Sequence, residues 1–176
     1  MRKLALALLL LPACKAPPKA SQGSVTVDMD PQYEKFRPVA VVVMPADAPK
    51  SGIRKPLREE VYRRLFAKRY SPLNLIVVDN QLKGGGSWNP QDIEWDARLE
   101  LDVKGWRPVE GGSRVAATGA ARMVYRTGEK IWQVSFEDYP FDCEEAGGGD
   151  RDAIAAVHLA KLIVDRLPER PPPPKE

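Results

Sequence analysis

Pro38-Val39-Ala40-Val41-Val42-Val43-Met44 is an unbroken apolar, largely β-branched run closed by Pro45, and no other segment restricts the fold as much. A strand with one face in water alternates apolar and polar side chains. A run without polar positions needs cover on both faces, as in the interior of a layered α/β sheet. The next segment of the chain supplies one cover. From about Arg54 to Arg69 the apolar residues Leu57, Val61, Tyr62, Leu65 and Phe66 recur at the spacing of one helical face. Pro56 fits only the first turn of such a helix, and Lys68 and Arg69 sit where a helix dipole favours cations. Ser71-Pro72 stops it, and Leu73 to Val78 predicts a second buried strand, which completes a β-α-β unit.

The period then changes. Trp95, Ala97, Leu99, Leu101 and Val103 alternate with Asp96, Arg98, Glu100, Asp102 and Lys104, the pattern of a strand with one wet face. Gly111-Gly112 and Thr127-Gly128-Glu129-Lys130 turn the chain into two further strands, Arg114 to Arg126 and Ile131 to Glu137, which predicts a three-stranded antiparallel meander. A last helix over about Asp152 to Arg166 carries Ile154, Val157, Leu159, Leu162 and Ile163. The expected fold class is a single α/β sandwich with a mixed sheet over residues 38–168. At 176 residues one domain is also the natural count.

The first residues bear on location. Met1-Arg2-Lys3 followed by Leu4 to Leu11 is a basic start and a short Leu/Ala run, far below the roughly 20 residues a spanning helix needs. It reads as a secretory signal over residues 1–13. Leu11-Pro12-Ala13-Cys14 resembles a bacterial lipobox, which implies cleavage before Cys14 and acylation of that residue. A plain signal peptide that happens to contain a cysteine is the alternative. Each buried methylene of an acyl chain contributes about 0.8 kcal/mol, so two or three chains anchor a protein firmly. By resemblance to the enterobacterial sorting rule, Lys15 favours the outer membrane, facing the periplasm, with the inner membrane as the alternative. Residues 14–37, with Pro17, Pro18, Ser21 and Gly23, read as a flexible tether, and the Pro-rich residues 169–176 as a solvated tail.

Chemistry is sparse. The 27 basic and 24 acidic residues give a net charge of +3, which argues against a nucleic-acid partner, and Arg2 and Lys3 leave with the signal. One His and two Cys exclude zinc sites built from those residues alone. No Gly-rich segment continues into a phosphate-loop Gly-Lys-Ser/Thr, and Asp150 and Asp152 come just after Gly147-Gly148-Gly149. Cys143 is flanked by Asp142, Glu144 and Glu145, which disfavour a thiolate, and His158 sits in an apolar helix, so neither reads as catalytic. Asp96, Glu100 and Asp102 share a strand face with Arg98 and Lys104, which reads as a charge-mixed wet face rather than a calcium site. No cofactor is expected beyond the covalent lipid on Cys14. Of the four Trp, Trp95 and Trp132 fall on core phases. Trp88 lies in the 80–94 loop and Trp106 on the polar phase, so these two are the candidate partner-binding residues.

Val41 to Pro45, Asp96 to Lys104, Gly128 to Trp132 and Leu167-Pro168 together resemble the bacterial lipoprotein family typified by the neisserial antigen GNA-1162 (DUF799-type), over about residues 38–168. That family's domain is similar to the N-terminal domain of TolB and to the periplasmic domain of the curli secretion lipoprotein. This chain has Pro45-Ala46 where the family shows Pro-Pro, and a shorter middle over residues 80–94. The resemblance implies a non-enzymatic accessory or adaptor subunit of an envelope transport, secretion or assembly complex. A module that binds a small ligand or peptidoglycan through the 80–94 loop is the other expectation.

Overall fold

The computed structural model describes residues 23–31, 33–83, 88, 93–109, 113–143 and 150–170. The elements are β1 (Ser24–Met29), α1 (Tyr33–Phe36), β2 (Ala40–Val43), α2 (Ser51–Leu65), β3 (Ser71–Pro72), α3 (Leu75–Leu82), β4 (Ala97–Val109), β5 (Arg114–Tyr125), β6 (Lys130–Asp142) and α4 (Arg151–Asp165). They form one six-stranded sheet in the order β1-β6-β5-β4-β2-β3. β2 runs parallel to β3 and β4, and the other neighbours are antiparallel, so the sheet is mixed, as the sequence pattern predicts.

Val41, Val42 and Val43 are fully buried, and successive residues of a strand face opposite ways. Val41 and Val43 enter the large core under α2 and α4, with Leu57, Val61, Leu159 and Ile163. Val42 joins a second, small cluster with Val78 and Trp88 on the other face, bordered by Met44, Leu73, Leu82 and Trp95. Among the described residues β4, β5 and β6 have no second apolar cluster of this kind and largely alternate, with Leu99, Leu101, Ala121, Met123, Trp132 and Val134 in the large core.

Several expectations are corrected. Leu73 to Val78 is not a second buried strand. The strand is only Ser71–Pro72, and the chain turns into α3 at Asn74, whose side-chain oxygen accepts from the N–H of Ile76 at 2.9 Å. A short apolar run cannot be assigned by period alone, and this N-cap decides the matter. α2 begins at Ser51, so Pro56 lies beyond its first turn and removes one intrahelical bond. The expected tether over 14–37 holds β1, paired with β6 from Ser24↔Glu137 to Met29↔Trp132, and α1. β1 escapes notice because only Val25 packs against the core, while Val27 and Met29 stay about half exposed. Buried Tyr33 and Tyr70 share a hydroxyl–hydroxyl bond, and Tyr70 donates to the Pro168 carbonyl at 2.9 Å. Burial raises the pKa of both phenols. Glu169 and Arg170, the first residues of the expected tail, are held by Arg69.

Both candidate Trp residues are buried, Trp88 to 4% and Trp106 to 9% exposure. A register shift between Val103 and Gly105 moves the residues after it by one phase, which carries Trp106 from the wet side to the core. Its indole N–H donates to Asp152 Oδ1 at 2.8 Å, and Lys50 Nζ donates to Asp152 Oδ2 at 2.9 Å. Burial alone would raise the Asp152 pKa, but these two donors outweigh it and hold the carboxyl below its ordinary range. Beside the same shift Gly119 allows a close strand approach. A Cβ there would stand 2.3 Å from the Asp102 carbonyl oxygen and 2.9 Å from Val103 Cα.

Gly119→Ala is therefore expected to lose about 1–3 kcal/mol of stability by overpacking. Gly52→Ala, in α2 with nothing within 4 Å of the added carbon, should be neutral or stabilising by up to about 1 kcal/mol. Urea midpoints of both variants against wild type check the pair, and a neutral Gly119→Ala contradicts the strand packing. A depressed folded-state pKa means that Asp152 contributes fully above its unfolded value of about 3.9 and that this contribution is lost as pH falls through the folded value. Asp152→Asn should lower stability at neutral pH and flatten the acid limb, measured as denaturant midpoints from pH 7 downward. An unchanged acid limb would remove Asp152 from the account.

Candidate functional site

The helices that follow β2 frame a cleft among the described residues. Where β2 ends, α2 and α3 diverge and leave a space of about 440 Å³ lined by Pro45, Ala46, Arg54, Arg58, Ile76 and Asp79, among others. The position is physically expected. The carboxyl end of a parallel strand leaves its last carbonyls without a sheet partner and points them into the space between the flanking helices.

Arg58 resolves that end. It is 9% exposed, its Nε donates to the Val43 carbonyl at 3.0 Å, and its Nη1 meets Asp79 Oδ1 at 2.5 Å. One guanidinium thus ties α2 to the end of β2 and to α3. Its Nη2 is buried and has no hydrogen-bond partner among the described residues. Arg54 donates through Nε and Nη2 to the Ala48 carbonyl, at 3.0 and 2.7 Å, and fixes the loop after Pro45. Lys55 and Glu59 pair loosely at 3.8 Å on the rim. Three cations and two carboxylates therefore surround an apolar floor, with Ile76 at 69% and Val77 at 41% exposure forming a shoulder on α3. Such a cleft can seat an apolar side chain beside an anionic group. Arg54, Arg58 and Asp79 are tied into structural bonds while Lys55 and Glu59 stay largely exposed, and no Ser, Thr, Cys or His among the described residues lines it.

The other expected site residues lie elsewhere. Cys14 and most of the 80–94 loop lie outside the described residues, as do Glu144, Glu145 and the Gly147–Gly149 triplet. Trp88 packs edge-on against Trp95, ring centroids 6.1 Å apart, and Trp106 is in the large core, so the pair offers no free aromatic surface. Cys143 is buried with its thiol towards the Phe141 carbonyl, whereas His158 lines a shallow depression with Tyr139, Asp142 and Lys161. The wet face of β4 is charge-mixed. Arg98 meets Glu100 at 2.7 Å, Lys104 meets Asp102 at 2.7 Å, and Arg122 on β5 reaches both carboxylates. The Asp102 carboxylate raises the Lys104 pKa. Asp96 is not part of that face. Its Oδ2 accepts from the N–H groups of Val39 and Ala40, at 2.7 and 2.9 Å, and holds the start of β2. Sequence pattern misses the Arg58–Asp79 clamp, because Asp79 reads as a turn residue once α3 is taken for a strand. The signal that points to it is Asn74, an N-cap five residues earlier.

No family model matches the chain, and no curated protein matches it. Among solved structures, the PelC dodecamer from Paraburkholderia phytofirmans is similar at TM-score 0.50 and 11% identity, over 81% of this chain and 92% of that one. Lipoprotein GNA1162 from Neisseria meningitidis is similar at TM-score 0.49 and 19% identity, over 73% of this chain and 96% of that one. A DUF4136 family protein from Bacteroides thetaiotaomicron reaches TM-score 0.44 and 10% identity, over 85% and 100%. At these identities the likeness is one of fold, and fold alone does not carry function. The chain shares its mixed α/β fold with the PelC dodecamer, and the GNA1162 lipoprotein resembled by its sequence stands among the similar solved structures.

Proposed function

We propose that this chain is a non-enzymatic, membrane-anchored envelope lipoprotein that works as an accessory subunit through protein–protein contacts. The observation that carries the reading is the α3 shoulder. Ile76 and Val77 face solvent beside a cleft whose floor is apolar and whose rim carries the exposed Lys55, a surface suited to being covered by a partner. The partner segment that fits it presents an apolar side chain next to a carboxylate, facing Arg54 and Lys55. The lipobox-like residues before Cys14 supply the anchor in this reading, and the outer membrane is the proposed location from Lys15. No helix among the described residues is long and apolar enough to cross a membrane.

A second reading is favoured by the cleft itself. A volume of about 440 Å³ is in the range of small-ligand sites, so a small anionic ligand or a cell-wall peptide is a rival occupant. Saturable binding of cell-wall fragments by the purified protein, abolished by Arg54→Ala, would select it.

Ile76→Glu is expected to leave the thermal midpoint within a few degrees, because the side chain is exposed, and to reduce in-cell crosslinking to one envelope protein at least tenfold. Cys14→Ser should release the protein from the membrane fraction. Unchanged crosslinking of Ile76→Glu, measured by quantitative immunoblot against wild type, overturns the shoulder as the contact.

A further inference from the structure

The sheet ends in two unlike edges. β3 is the outer strand on one side, only Ser71–Pro72, and Pro72 lacks a donor. Short length and proline are the usual guards of an edge. β1 closes the other side with six residues, no proline and no lysine. Its single charge, Asp28, is bound to Lys130 at 2.7 Å. Among the described residues nothing pairs with its outer side, and an open edge of this length is a template for another strand.

Its geometry says which strand. The Asp30 N–H bonds the Ile131 carbonyl at 3.0 Å, and the β1–β6 register runs without a shift from Ser24 to Met29. In an antiparallel ladder the residues that exchange bonds with a neighbour alternate. Ser24, Thr26 and Asp28 therefore turn their N–H and C=O groups towards β6. Val25, Val27 and Met29 turn theirs outward. The same three residues carry the apolar side chains, two of them about half exposed.

From this we propose that β1 pairs antiparallel with β1 of a second copy of this chain, centred on Val27, joining two six-stranded sheets across a two-fold axis. In that register Val27 opposes Val27 of the other copy, Val25 opposes Met29, and Met29 opposes Val25. Each pair exchanges two backbone bonds, so every outward group of the three residues is used. The apolar side chains of both copies fall on one face, where Val27 and Met29 lose their exposure. On the other face Asp28 stands opposite Thr26. Sliding the pairing two residues one way brings Asp28 against Asp28, which like charge disfavours. Sliding it the other way leaves Met29 opposite Gly23. The two-fold arrangement is also the commonest closed symmetry of soluble homo-oligomers. This interface is on the opposite edge of the sheet from the α3 shoulder, so it stands or falls independently of the partner proposed there.

Val27→Pro separates the two ladders. It removes an outward donor and leaves the β6-facing donors of Thr26 and Asp28 in place, and the residue before a proline favours extended backbone in any case. The experiment is sedimentation of the full chain in detergent at several detergent-to-protein ratios. Wild type is expected to sediment as a dimer at micromolar concentration, and Val27→Pro to raise the dissociation constant at least tenfold with an unchanged circular dichroism spectrum. Because proline also narrows φ at position 27, Val27→Cys gives a second reading. Two Cα atoms in a bonded pair stand about 5.5 Å apart, within disulfide reach. Oxidation should link Val27→Cys into dimers far more completely than Thr26→Cys or wild type. A monomeric wild type, an assembly that Val27→Pro leaves intact, or equal linking at positions 26 and 27 overturns the proposal.

Discussion

The burial of β2 on both faces is the constraint on which the rest of the domain depends. A four-residue strand with Val41, Val42 and Val43 all at 0% exposure cannot sit at a wet surface. One layer must cover Val41 and Val43, and a different one must cover Val42. The α2–α4 pair provides the first, α3 with Trp88 the second. The strand is also clamped along its length. The Asp96 carboxylate takes the N–H groups of Val39 and Ala40, and the Arg58 guanidinium takes the Val43 carbonyl. Backbone groups that would be orphaned between layers are thus satisfied by side chains from outside the ladder. The cleft beyond Pro45 is a by-product of this arrangement, since two helices on opposite faces of a strand must part where the strand stops.

The meander obeys a looser rule. β4, β5 and β6 are covered on the helix side, so apolar residues are needed only at every second position, and the other face carries Arg98, Glu100, Asp102, Lys104 and Arg122. Exposed pairs of this kind contribute little each, so their role is to keep that face in water rather than to hold the sheet together. Shape comes instead from the irregularities. The register shifts at Val103/Gly105 and Ala117/Gly119 lie side by side, and Gly119 allows the strands to close there beneath the Phe136 ring.

What the sequence reveals divides along the same lines. Where burial is one- or two-sided and continuous, the pattern is plain, and β2, α2, the three meander strands and α4 can be read from it. Where a single local choice decides, it is not. Asn74 turns an apolar hexapeptide into a helix start, although Leu73 to Val78 read as a strand on composition. One extra residue near Lys104 reverses the phase of Trp106, so alternation counted from Ala97 places it in water although it lies in the core. β1 is hidden for another reason, because an edge strand with one packed residue has almost no amphipathic signal. For the site, Arg54 and Arg58 look like ordinary members of a charged helix face. Only the depth at which α2 sits against β2 makes Arg58 a buried clamp.

The pairing of β1 with β6 also sets the order in which the chain can assemble. Ser24 to Met29 finds its neighbours at Trp132 to Glu137, and Tyr33 reaches Tyr70 and, through it, Pro168. None of those partners exists when the first strand leaves the ribosome. β2, α2 and β3 can meet early because they are close in sequence, whereas the amino-terminal edge must wait for nearly the whole domain. Closing so long a loop is entropically costly and slow. The outermost strand of the finished sheet is therefore the first to be synthesised and among the last to be placed.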